Sequence, residues 1–222
     1  MKGCPASPNN TVIILDISVS DYSFSELNSH WASILAEVVC AACGTKGRYT
    51  AHANYFKYHY QDKVQIFRVR CRHCRQTHAV IPSFSLPGTS IGTREAEQYL
   101  LSRQQGASRN TAGKPLFQQG MSRRYPKQLE RMFHTAVSRA KALFPSGDGA
   151  FLSGLRWIEA LCGPTDRPLF CLNQYCLAHR VNAVCFCRST ILVFARTRRN
   201  RGGRRSGTRD PLCRDAAPLR GR

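Results

Sequence analysis

Four cysteines carry the clearest chemistry in this chain: Cys40-Ala-Ala-Cys43 and Cys71-Arg-His-Cys74, two C-x2-C pairs separated by 27 residues. In each pair two thiolates converge on one side of a tight turn, and a hairpin between the pairs would bring all four sulfurs around one tetrahedral Zn²⁺. Four thiolates close the coordination shell, so the expected metal is structural and holds no place for water or substrate. The same residues could instead be four small buried cysteines or a redox C-x2-C; the second lacks the βαβ context such motifs need. With four cysteines present, His52, His59, His73 and His78 read as surface or backbone-bonded histidines rather than ligands. Cys162, Cys171, Cys176, His179, Cys185 and Cys187 form no paired knuckles. They read as buried cysteines in a core segment, not as a second metal site.

Basic and aromatic residues interleave around the first motif. Arg68, Arg70, Arg72 and Arg75 lie on and beside one ribbon strand, with Arg48, Lys57, Tyr55, Phe56 and Tyr58 on the facing one. Phosphate contact with stacking on bases or sugars is the functional expectation; a solvated strand face, with aromatics covering the zinc core, is the alternative. A second basic group, Arg123, Arg124, Lys127 and Arg131, precedes and follows the start of a helix over 126–144. Helix, Gly120-Met-Ser turn and basic second helix make the pattern of a helix-turn-helix over 111–144. Pro126 and the few apolar residues of 111–119 count against it.

The elements that must position these groups follow from periodicity. Thr11–Ile17 predicts a strand. Ser23-Phe-Ser-Glu26 has capping-box spacing ahead of an amphipathic helix with Leu27, Trp31, Ile34, Leu35 and Val38 on its stripe. Residues 47–60 and 63–71 predict a β-hairpin around Gln61-Asp62-Lys63. Alternation sets Phe67, Val69 and Cys71 on one face, and Val64, Ile66, Arg68 and Arg70 on the opposite one, separating a metal side from a basic side. Thr93 is placed as the cap of a helix ending near Gly106. Residues 111–119 predict a weaker helix. Pro126 fits best at the first helical position of the next, with Ser122 or Tyr125 as cap. A turn at 145–149, a helix over 151–161 and a cysteine-rich segment over 162–187 complete the body.

The charge narrows the partner. Among 222 residues, 33 Lys+Arg face 13 Asp+Glu, a formal net charge of +20, which points to a polyanion. At 42% hydrophobic residues the chain is no wholly disordered basic protein. The longest apolar runs, Val12–Leu15 and Ile191–Ala195, are far below the roughly 18 residues of a membrane span. The N-terminus lacks the apolar core of a secretory signal, so a cytoplasmic, nucleoid-associated protein without small-molecule substrate is expected. Residues 188–222 hold 11 arginines, no lysine, and only Asp210 and Asp215. That composition predicts a disordered tail, read either as a polycationic arm or as the product of a frame-shifted or truncated reading frame in GC-rich DNA.

Four runs, Cys40-Ala-Ala-Cys43-Gly44, His52-Ala-Asn-Tyr55-Phe-Lys57, Val69-Arg70-Cys71-Arg-His-Cys74 and Thr77-His78-Ala-Val-Ile-Pro82-Ser-Phe84, resemble the N-terminal zinc ribbon of insertion-sequence transposases. They look still more like an uncharacterised bacterial family sharing that ribbon and continuing into helix-turn-helix segments; Asn182-Ala-Val-Cys-Phe-Cys-Arg188 adds to this. The resemblance implies Zn²⁺ on Cys40, Cys43, Cys71 and Cys74 and DNA as partner, with mobile-element ends as the implied target. It supplies no nuclease, because Asp148, Glu159 and Asp166 sit too close in sequence for a three-carboxylate Mg²⁺ domain.

The expectation is therefore an α+β protein in four segments. These are an N-terminal strand and helix (1–39), a zinc-ribbon hairpin unit (40–87), a mostly helical region (88–187) and the tail (188–222). Its expected function is DNA binding without catalysis, as a transposon-associated accessory factor or regulator. The alternatives are a protein-interaction module with a structural zinc and a degenerate Mg²⁺-dependent nuclease.

Overall fold

A computed structural model of the chain describes residues 11–144 and 153–180. The predicted turn at 145–149, Cys185, Cys187 and the 188–222 tail lie outside them. The described residues form an α+β fold of four strands and seven helices: β1 (Thr11–Leu15), α1 (Phe24–Ile34), β2 (Tyr49–His59), β3 (Asp62–Cys71), β4 (Thr77–Pro82), α2 (Thr93–Gln104), α3 (Arg109–Ala112), α4 (Lys114–Gln118), α5 (Tyr125–Leu143), α6 (Gly154–Cys162) and α7 (Pro168–Ala178).

The strands make one sheet in the order β1-β4-β3-β2. The predicted hairpin is present, with Tyr49 opposite Cys71 and His59 opposite Asp62, and its register shifts at His52. β4, which periodicity does not single out, pairs antiparallel with β3 and parallel with β1. The sheet thus takes strands from both sides of residues 39 and 40, the expected segment boundary.

Because side chains alternate along a strand, the sheet has two faces, and both are covered. On one, Ile13, Phe67, Val69 and Val80 pack with Leu27 and Leu35 from α1 and its C-terminal end. Phe24 and Trp31 lean on the Phe67 ring at 6.4 and 6.1 Å. On the opposite face, Val12, Ile14, Ile66 and Ile81 share a core with Leu100 of α2, Leu116 of α4, Leu129 and Phe133 of α5, Trp157 and Ile158 of α6, and Leu172 of α7. The hairpin and the helical region are therefore joined by one apolar core. This changes the meaning of the alternation in β3: Ile66 is fully buried, and Arg68 beside it is half-buried, so their face is not an open basic side.

Local signals explain the helix ends. Ser23 caps α1 and its hydroxyl accepts from the Glu26 N–H, as the capping spacing requires. Thr93 is the first residue of α2 instead of its cap, which is Gly92. Residues 111–119 do not make one helix: Gly113 divides α3 from α4. Pro126 is the second residue of α5, buried, and Arg124 occupies the cap position; early in the helix the missing proline N–H costs no internal bond. Two carboxylates tie helices together. Glu97 of α2 accepts from the Leu169 and Phe170 N–H groups at 2.9 and 3.0 Å, occupying the N-terminus of α7. Glu130 of α5 accepts from Tyr99, Arg103 and Arg109, each at 2.8 Å, fixing α2 and α3 on α5.

Candidate metal centre and its basic surroundings

Each cysteine pair sits on a knuckle at a strand end. In the first, Cys40 N–H donates to Thr45 O at 2.9 Å and Gly44 N–H to Cys40 O at 2.8 Å; in the second, Cys71 N–H donates to Gln76 O and Arg75 N–H to Cys71 O. The two turns are alike in that the residue after the second cysteine has positive φ: Gly44 at 77° and Arg75 at 64°. Glycine takes that conformation freely, and a Cβ on Gly44 would also meet the Arg180 guanidinium at 2.7 Å. The β2–β3 hairpin then folds the second knuckle back onto the first, since Tyr49, just after the first turn, pairs with Cys71.

The four sulfurs all lie within 4.8 Å of one another. The Cys40–Cys74 and Cys43–Cys71 separations are each 3.7 Å. A tetrahedron with metal–sulfur bonds of about 2.3 Å has edges of roughly 3.8 Å, so the cluster has the size a tetrahedral thiolate-bound ion needs. Cys40 and Cys71 are fully buried, Cys43 and Cys74 half-buried. Backbone N–H groups point at the sulfurs two residues before them: Ala42 at Cys40, Thr45 at Cys43, Gln76 at Cys74. Such donors stabilise thiolates and spread the charge of a four-thiolate shell.

The thiols are not equivalent. Burial pushes Cys40 and Cys74 up. Burial also acts upward on Cys43, but hydrogen bonds from the Thr45 hydroxyl and N–H, and from His73, outweigh it and bring this thiol to about 5.

His78 departs furthest from its expected surface place. It is fully buried on β4, with Nε2 3.3 Å from Cys40 Sγ and its ring edge-on to Tyr49 at 5.7 Å. Burial pulls its pKa down to about 4, so it stands neutral and can donate an N–H to the Cys40 sulfur. Alternation along β4 sets His78 on the same covered face as Val80, but only the pairing of β4 with β3 marks that segment as a strand. His73 is exposed and bonds Cys43; His52 is exposed at the bulge; His59 is half-buried between Tyr60 and Phe84. In the C-terminal cysteine segment Cys176 is buried and Cys162 and Cys171 are half-buried. Among the described residues the four-cysteine group is the one cluster of metal-ligating side chains found.

The basic residues divide into two groups at opposite ends of the hairpin. At the metal end Arg48, Arg70, Arg72 and Arg75 are exposed, and none forms an ion pair among the described residues. Arg48 and Arg72 border a groove of about 560 Å³ with Trp31, Tyr49 and His73. At the far end Arg123 and Arg124, in the turn before α5, and Lys127 and Arg131, on its outer side, are exposed. The turn reaches the hairpin tip, where the Gln61 amide lies 2.6 Å from where a Cβ on Gly120 would be. About 30 Å of strand separates the two groups. Of the three carboxylates considered for Mg²⁺, Glu159 and Asp166 are exposed and Asp148 lies outside the described residues.

No protein-family model matches the chain, and no curated protein or solved structure is significantly similar to it. Among the described residues no helix is long and apolar enough to cross a membrane.

Proposed function

We propose that the chain is a DNA-binding protein whose four cysteines hold one structural Zn²⁺ and which acts without catalysis, as an accessory factor or regulator of a mobile element. The observation that carries the reading is the set of exposed arginines, Arg48, Arg70, Arg72 and Arg75, standing without carboxylate partners among the described residues around a closed four-thiolate centre. An arginine with no carboxylate partner is free to neutralise a phosphate, and a rigid metal knuckle fixes where it does so. Zinc suits a compact all-sulfur tetrahedron and, with no open position, contributes folding energy instead of chemistry. Arg123, Arg124, Lys127 and Arg131 form the second contact, with α5 as the element that would approach the major groove. The four-residue α3 and five-residue α4 make this a shorter first helix than the helix-turn-helix pattern calls for.

The test is a titration of the full chain with duplex DNA at increasing salt. Affinity falls with salt, and replacing Arg70, Arg72 and Arg75 by Gln flattens the logarithmic slope by up to about 2.7. Absence of duplex binding at low salt refutes the reading. Arg68, half-buried on the helix-covered face, is left out of the triple variant, since its loss would disturb packing.

A further inference from the structure

We infer that the outer end of the β2–β3 hairpin is a stacking platform for unpaired nucleic-acid bases, flanked by the basic turn at Arg123 and Arg124; this rests on the nucleic-acid reading above and names the form of the ligand. Phe56 and Tyr58 are 64% and 56% exposed, on the edge strand of the sheet. Two residues apart on one strand, they project from the same face about 7 Å from each other. That face is the one α1 covers further along, over Phe67; Phe56 opposes Gln65 and Tyr58 opposes Lys63, beyond the core that α1 closes. The two rings therefore cover no core, and packing gives no reason for their being aromatic.

The chemistry around them favours bases over a protein partner. From His52 to His59 the strand has no valine, leucine or isoleucine, the side chains that fill a protein-docking edge. Flat rings alternate with polar groups: Asn54 is exposed on the same face, and Lys63 Nζ stands 5.8 Å from the centre of the Tyr58 ring. Rings with an amide and an ammonium beside them are what a stacked, phosphate-linked base needs.

The tip is also held in place. Tyr60, at φ 55°, donates its N–H to Ser90 O and accepts from the Gly92 N–H through its hydroxyl at 3.2 Å. Gln61 rests on Gly120, which places the exposed Arg123 and Arg124 within a few residues of the tip. A single strand stacked on Phe56 and Tyr58 can pass over the tip and meet those cations with its phosphates.

The experiment is fluorescence anisotropy of the full chain with a labelled single strand of about 16 nucleotides and with the same sequence as a duplex. Phe56→Ala and Tyr58→Ala each weaken single-strand binding at least about fivefold and leave duplex binding within about twofold, while Phe56→Tyr and Tyr58→Phe retain it. Both alanine positions are exposed, and thermal melts of the variants confirm that they fold. Duplex binding without single-strand binding overturns this inference alone; binding to neither overturns the functional reading with it. Unchanged single-strand affinity in Phe56→Ala/Tyr58→Ala also overturns it, and a loss of self-association in that variant would then assign the patch to a second copy of the chain.

Discussion

Glu97 makes stability depend on pH in a direction opposite to that of most paired carboxylates. The residue is 2% exposed, and burial raises its pKa from about 4.5 to about 7 despite the two N–H donors at the start of α7. A folded-state pKa above the unfolded value means that the charged form is penalised in the fold. The stabilisation is therefore complete below about pH 4.5 and is lost as pH rises through about 7. At about 1.36 kcal/mol per tenfold change the whole loss is about 3 kcal/mol, most of it falling between pH 5 and pH 8. In Glu97→Gln the amide oxygen still accepts both N–H bonds and carries no charge, so this contribution disappears. At about 2–4 °C per kcal/mol, wild type should lose about 5–10 °C more in melting temperature between those two pH values than Glu97→Gln does. Melts of both proteins followed by circular dichroism give the difference directly, and the remaining titrating groups cancel in it. Equal shifts in the two proteins would show that Glu97 is not buried against α7 as described.

Further perturbations separate packing from chemistry. Glu130→Ala removes the acceptor of Tyr99, Arg103 and Arg109 and strands a buried phenol; a loss of about 2–4 kcal/mol is expected, read as a lower denaturation midpoint and reduced on a Tyr99→Phe background. Gly47→Ala places a Cβ 2.3 Å from Ala36 O at φ 61°, and lowers stability by at least about 1–2 kcal/mol; a melt equal to wild type would contradict that turn. His78→Phe keeps the volume but removes the donor to Cys40. It should weaken metal retention about 10–100-fold in a chelator competition, and an unchanged affinity would place His78 outside the metal's surroundings.

What is legible in the sequence is local. The C-x2-C spacing encodes a turn a few residues long, the Ser23–Glu26 spacing a cap, and the Gln61 region a hairpin, and all three are present. The fold class follows from the same periods. What is not legible depends on pairings distant in sequence. Ile66 and Arg68 read as part of one basic face because nothing in residues 63–71 reports that Leu116, Leu129 and their helical neighbours will cover that face. His78 reads as a surface histidine until β4 is paired with β3 at Val69, which turns its ring toward Cys40. Pro126 and Thr93 each sit one position from where residue type places them, since cap residues differ from first-turn residues by backbone geometry more than by type. The two basic groups are distinct runs along the chain, and only the hairpin's length fixes how far apart they stand.

Whether Cys40, Cys43, Cys71 and Cys74 hold one metal ion on which the fold depends is decided by elemental analysis of the full reduced chain, alone and after exposure to a chelator. One zinc per chain is expected, absent in Cys71→Ser, with stripping followed by a loss of cooperative unfolding that added Zn²⁺ restores. A metal-free chain that melts as cooperatively as before, with all four thiols open to titration, would contradict it.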